Sequence, residues 1–232
     1  MSRIKMNTAT PNNAKKTRRA KLHVRKTYKN TLRKQSSFMQ IFNGLDGHYT
    51  DNENKYQGYQ ITYGEVTEVG IHRMCKMFGK YLPLQTVPVQ NRTFYDLGCG
   101  LGKVVIGMAL LNPQIRSIGI ELVEDRAQKA GIALGRVSKS VQNRCGIVTG
   151  SILDDRFSYK NACWIFISNL CFTPEINGNM TEKLGNELSS GCVVQCSKEL
   201  VNPAEHGLIL KEIHRIPMTW TEESQLHVYV KE

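Results

Sequence analysis

Thr93–Gly102 reads T-F-Y-D-L-G-C-G-L-G, and this stretch decides the fold. Apolar and β-prone residues carry a strand as far as Asp96. Three glycines then follow at alternate positions, Gly98, Gly100 and Gly102, and Val104 to Leu111 reads as a helix. Glycine lets the backbone turn tightly and approach a ligand with no Cβ in the way. The helix behind it offers unpaired N–H groups and a partial positive charge. A second acid, Glu121, ends the next apolar run, Ile115 to Ile120. In such a βαβ unit, the acid at the tip of the second strand takes the ribose hydroxyls of a nucleotide-like cofactor.

The spacing separates the candidate cofactors. A dinucleotide fingerprint is G-x-G-x-x-G, whereas this loop carries the carboxylate of Asp96 two residues before its first glycine. That charge would repel a pyrophosphate and attract a cationic or amino-acid-like ligand. S-adenosylmethionine, with a sulfonium and an α-ammonium, fits best. A nicotinamide or flavin cofactor, and a glycine turn with no ligand at all, are the other readings. No metal is expected.

The chain has 232 residues, 41% of them hydrophobic, enough for one substantial domain with some extra. It has no uninterrupted apolar run long enough to suggest a membrane span, and its N-terminus lacks the apolar core of a secretory signal. Seven scattered cysteines without C-x-x-C pairing suit reduced thiols inside a cell. The net charge of +11 is unevenly placed: residues 1–34 hold 12 of the 31 Lys and Arg and no acid, leaving 19 basic against 20 acidic residues elsewhere. A stretch so basic and poor in apolar residues would not fold alone. Lys15, Lys16, Arg18, Arg19, Lys21, Arg25, Lys26, Lys29, Arg33 and Lys34 therefore read as an arm that binds DNA by displacing counterions. A solubilising or nuclear-import run is the plainer reading.

Beyond the arm, Ser36 to Gly58 is a polar connector with some helical potential, and Val66 to Lys80 has a helical period. After Pro88, strands and helices alternate. The strands are Thr93–Leu97, Ser117–Glu121, Gly146–Thr149, Ala162–Ser168 and Gly191–Cys196. The helices are Val104–Leu111, Asp125–Val141 and Thr181–Leu188, and Ile209–Ile216 with Leu226–Val230 closes the sheet as an antiparallel pair. This predicts an α/β, Rossmann-like, seven-stranded sheet of the class I methyltransferase kind, with helices on both faces and a short N-terminal extension. Asp96, Glu121, Ser151 and Asn169 fall at carboxyl ends of strands, where ligands of such sheets sit.

Four further elements sharpen the expectation: Tyr63-Gly64-Glu65, Gly119-Ile120-Glu121, Ser168-Asn169-Leu170-Cys171-Phe172 and Met218-Thr219-Trp220-Thr221. Together with the glycine loop, and in this order from about residue 56 to 229, they resemble the disruptor-of-telomeric-silencing (Dot1-type) histone methyltransferases, non-SET enzymes that modify the globular core of histone H3 in nucleosomes. The resemblance implies that Tyr63, Gly64, Glu65 and Val66 close over the methionine part of the cofactor. It implies that Phe94, Asp96, Gly98, Gly100, Gly102 and Lys103 surround the amino-acid end, and that Glu121 holds the ribose. Ser151 and Ile152 take the place of an Asp-Phe pair at the adenine. Asn169, also a cofactor contact, and Phe172 would line the lysine slot, with Trp220 on its wall. The chain departs from the family's pattern at Ser168, where a first asparagine is usual, and at His227, where a channel tyrosine is usual. Tyr229, two residues on and facing the same side, is the candidate replacement.

The resemblance thus implies a monomeric nuclear enzyme (in the host nucleus, if virus-encoded) acting on a histone lysine of the nucleosome, with no membrane association. Residues 1–34 would be the DNA-binding tail, 35–88 an extension holding the cofactor-closing loop, and 89–232 the catalytic core. Aromatic walls would favour the uncharged amine by desolvation, and no strong general base is evident. The rivals are another seven-strand methyltransferase acting on protein or RNA, and a non-catalytic chromatin-binding module.

Overall fold

The computed structural model of the chain describes residues 37–48, 56 and 62–232. The proposed DNA-binding lysines and arginines lie outside the described residues. The chain divides into two units, residues 1–40 and 41–232. Of the first, residues 37–40 are described, and they are helical.

The second unit is built on one seven-stranded sheet in the order β3-β2-β1-β4-β5-β7-β6. In chain order these strands are β1 (Thr93–Leu97), β2 (Arg116–Glu121), β3 (Cys145–Thr149), β4 (Ala162–Ile167), β5 (Val193–Cys196), β6 (Leu208–Met218) and β7 (Thr221–Lys231). The first five run parallel, and β7 pairs antiparallel with both β5 and β6. The helices are α1 (Glu68–Tyr81), α2 (Lys103–Leu111), α3 (Glu124–Gly135), α4 (Lys139–Gln142) and α5 (Pro174–Glu187). The expected α/β, Rossmann-like seven-stranded class holds.

Helices cover both faces. Under α1, Phe78 stacks on Trp164 of β4 at 5.1 Å and meets Phe94 of β1 edge-on at 5.8 Å, and Gln195 Nε2 donates to the Met74 carbonyl at 3.1 Å. On the other face Met180 and Leu184 of α5 pack into a buried cluster with Leu97, Ile165, Ile167 and Tyr229. β4, buried along its whole length, reads as the continuous apolar run that a central parallel strand requires.

Two helices differ from expectation by more than a residue or two at an end. The helix read over Asp125–Val141 is two, α3 and α4. Gln142 Nε2 donates to the carbonyls of Gly135 (3.2 Å) and Val137 (2.7 Å), satisfying acceptors that a continuous helix would have used itself. Conversely, α5 begins seven residues before Thr181, at Pro174. Thr173 caps it by accepting from the Ile176 N–H at 3.2 Å, and proline at the first position is preset for the helical turn.

Candidate active site

The carboxyl ends of β1, β2 and β4 open into a cavity of about 430 Å³, within the range of small-molecule sites. Its floor is the glycine loop. Gly98 (φ 85°), Gly100 (φ 52°) and Gly102 (φ 76°) all take left-handed conformations, which side chains resist. The N–H groups of Gly98 and Cys99 donate to the Ile120 carbonyl at 2.9 and 3.1 Å, so the loop folds back over the end of β2. A Cβ on Gly100 would stand 2.9 Å from the ring of Tyr63. The close approach, as well as the φ, demands glycine.

Two carboxylates face this floor. Glu121 is satisfied: Oε2 accepts from the Gly100 N–H at 2.8 Å and Oε1 from the Val123 N–H at 2.9 Å. Each oxygen keeps a lone pair for a further donor, such as a ligand hydroxyl. Asp96 is 1% exposed, and neither of its oxygens has a hydrogen-bond partner among the described residues. Burial, with the charge of Glu121 added, holds its carboxyl well above the ordinary range. A carboxylate orphaned at the bottom of an open cavity is a site for a cationic donor.

One wall is the segment before α1. Glu65 accepts at one carboxylate oxygen from the Tyr63 hydroxyl and at the other from the Lys103 ammonium. Burial, with that hydrogen bond to Glu65, drives the Tyr63 phenol far above its ordinary value. The Arg126 guanidinium lies over the Tyr63 ring at 4.9 Å, and its Nε donates to the Gly47 carbonyl at 2.8 Å. Ser151, Ile152 and Leu153 also line the cavity, as do Ser168, Leu170, Phe172 and Trp220. Trp220, 48% exposed at the β6–β7 turn, lies against the backbone of Gly64.

Of the residues singled out in the sequence, Tyr63, Gly64, Glu65, Val66, Asp96, Gly98, Gly100, Lys103, Glu121, Ser151, Ile152, Phe172 and Trp220 line this cavity. Four lie outside its lining, each for a physical reason. The Phe94 ring packs under α1 against Phe78. Gly102 faces α3 and β3, with Ala130 Cβ and Ile147 Cδ1 3.4 and 3.3 Å from where its own Cβ would be. The Asn169 amide is fully buried and spent on structure: Nδ2 donates to Asn177 Oδ1 and the Lys198 carbonyl, and Oδ1 accepts from the Lys198 N–H at 2.8 Å. Tyr229 sits in the core beneath α5, and its hydroxyl accepts from the Leu200 N–H at 3.2 Å. His227 is likewise buried in β7 and absent from the lining.

Arg126, Leu122 and Val123 line the cavity without having been singled out. An acid ending a strand is legible because it interrupts an apolar run. An arginine in the first turn of the following helix resembles any solvated helix residue.

The sequence profile of the family described as histone methylation protein DOT1 matches residues 49–227. No curated protein sequence matches the chain significantly. Among solved structures, the glycopeptide N-methyltransferase MtfA complexed with (S)-adenosyl-L-methionine has a TM-score of 0.52 at 11% identity, over 72% of this chain and 88% of that one. Streptomyces venezuelae DesVI has a TM-score of 0.51 at 13% identity, over 71% and 92%. The pyocyanin biosynthetic protein PhzM has a TM-score of 0.52 at 14% identity, over 71% of this chain and 55% of its own. At such identities the likeness is one of fold. The profile match is more specific: it takes in the Tyr63 wall, the glycine loop, both floor acids and the Trp220 turn, so the chain belongs to the DOT1 histone methylation family and is a methyltransferase.

Proposed function

We propose that the protein transfers a methyl group from S-adenosylmethionine to a lysine of the globular core of histone H3 in nucleosomes, and that residues 1–34 hold DNA while residues 89–232 perform the chemistry. The observation that carries this reading is the Asp96 carboxylate, without a hydrogen-bond partner among the described residues, in a cavity that Phe172 and Trp220 also line. The donor set fits the cofactor: Asp96 suits its α-ammonium, the remaining lone pairs of Glu121 suit the ribose hydroxyls, and Ser151 and Ile152 suit the adenine. When bound, the cofactor supplies an electrophilic methyl on a positively charged sulfur.

The chain's own residues then prepare the acceptor. The side chains of Phe172, Leu170 and Trp220 in the lining offer an ammonium no hydrogen-bond acceptor, so an entering lysine that displaces water there is favoured as the free amine, its proton having left to water. The ring faces tolerate the positive charge passing from sulfur to nitrogen, and confinement aligns the amine for in-line attack. The carboxylates nearby are otherwise committed: Glu65 is tied to Lys103 and Tyr63, and Asp96 lies at the floor. Catalysis in this reading is desolvation and positioning without a dedicated base. The enzyme acts as a monomer in the nucleus.

The test is transfer of labelled methyl to nucleosomes, free core histones and RNA in parallel, for the full chain and for a deletion of residues 1–34. Label on histone H3 of nucleosomes, reduced by the deletion and by added salt, supports the reading. Label confined to free protein or RNA overturns the substrate.

A further inference from the structure

Tyr63 and Gly64 are adjacent but touch different things. The Tyr63 ring lies against the bare backbone of Gly100 in the glycine loop, and the Trp220 indole lies against the bare backbone of Gly64, where a Cβ would be 2.1 Å from the indole Cζ3. The backbone ties the same two segments together. Glu65 N–H donates to Thr219 Oγ1 at 3.1 Å and Thr219 N–H donates back to the Glu65 carbonyl at 2.9 Å. Thr67 donates from both its N–H and its hydroxyl to the Pro217 carbonyl, at 3.3 and 2.9 Å, and Val66 bridges Met218. The cofactor-side loop and the turn that carries Trp220 are therefore one stitched unit, although some 150 residues separate them in the chain.

We propose that Gly64 and Thr219 are positioning residues that fasten Trp220 to the cofactor loop, so that seating the cofactor builds the wall of the acceptor slot. This deepens the proposed function and rests on it. The chain of contacts runs from Gly100 through Tyr63 and Gly64 to Trp220. A ligand that settles on the glycine loop and draws in Tyr63 must move or steady the indole, and by linkage an acceptor resting on the indole tightens cofactor binding equally. Couplings of this kind typically change affinity 5- to 150-fold. The arrangement favours an ordered reaction, cofactor first.

The chain has 2 tryptophans, which makes the indole a convenient reporter. Trp164 is 2% exposed under α1 and serves as the constant background, while Trp220 is 48% exposed. The experiment titrates the full chain with S-adenosylhomocysteine, reading calorimetry and tryptophan emission together, with Trp220→Phe to isolate the reporter. It then measures KM for the histone acceptor and kcat separately. In the wild type, emission from Trp220 should change in step with calorimetric saturation. Gly64→Ala displaces the indole, and Thr219→Val removes the acceptor of the Glu65 N–H. In Thr219→Val, S-adenosylhomocysteine binding should persist within about threefold while the emission change is lost and acceptor KM rises roughly tenfold or more; in Gly64→Ala, whose residue lines the cofactor cavity, the emission change should be lost as well. Thr219→Val keeps the test alive if the alanine variant folds poorly. Wild-type calorimetric binding without any Trp220 signal would overturn the coupling alone. So would variants that lower cofactor affinity and transfer by one common factor with acceptor KM unchanged. Absence of calorimetric binding in the wild type would overturn the cofactor assignment, and the coupling with it.

Discussion

Asp96, one residue before the end of β1, and Glu121, at the end of β2, sit on neighbouring parallel strands, with Asp96 in register with Gly119, yet the first has no hydrogen-bond partner among the described residues and the second accepts a backbone N–H at each oxygen. The glycine loop explains the difference. Its reversal over Ile120 delivers the Gly100 N–H to Glu121 and leaves Asp96 beneath the opening. The fold thereby stores an unmet electrostatic demand where a ligand's amino group would meet it.

That demand should be visible as a pH dependence. The Asp96 carboxyl is held well above its ordinary 3.8 by burial and then by Glu121. A carboxyl raised in the folded state stabilises the fold fully below its unfolded value, and this contribution is lost as pH rises through the folded value. The cofactor-free wild type should therefore lose stability relative to Asp96→Asn as pH is raised from about 4 towards neutrality. At neutral pH the variant should be the more stable, by about 1–3 kcal/mol. Urea unfolding at stepped pH measures this, and parallel profiles for the two proteins would refute it.

Glycines inside and outside the site should respond in opposite directions. Gly100→Ala combines a left-handed backbone with a Cβ driven towards Tyr63. It should cost about 1–2 kcal/mol from the backbone alone and weaken cofactor binding severely. Gly79 lies in α1 with open space around its would-be Cβ. Gly79→Ala should stabilise the protein by about 0.5–1 kcal/mol and leave methyl transfer unchanged. Thermal melts alongside transfer rates check both.

Asn169 should behave as a strut. Its amide joins the end of β4 to Asn177 of α5 and to the Lys198 backbone, so Asn169→Ala leaves several buried groups unpaired. A loss of about 2–4 kcal/mol is expected, and activity should fall together with stability. Full stability with lost activity would return Asn169 to the slot.

Tyr229 gives the complementary case. Tyr229→Phe removes a hydroxyl that accepts from Leu200 N–H in the core and should cost about 1 kcal/mol. Both kcat and the acceptor KM, measured well below the melting temperature, should be unaltered.

These residues also show what the sequence could reveal. Asp96 and Glu121 were legible because a charge that ends an apolar strand has one natural place in a parallel sheet. The Tyr63 wall and Trp220 were legible only through resemblance, since nothing local brings residue 64 to residue 220. Asn169 and Tyr229 lie outside the lining for a common reason. Whether a polar group near a strand end faces the cavity or turns back depends on partners such as Lys198 and Leu200, 29 residues away in each case. The break between α3 and α4 was hidden likewise, because a glutamine beyond it takes the carbonyls that end the first helix.

The most direct test of the central claim compares two ligands by calorimetry against wild type and Asp96→Asn. S-adenosylhomocysteine carries the amino-acid end, and methylthioadenosine lacks it. If Asp96 receives the ammonium, the substitution should weaken S-adenosylhomocysteine binding by roughly 30-fold or more, as the loss of a buried charged partner implies, and leave methylthioadenosine within about twofold. Equal losses for both ligands, or none for either, would contradict the account.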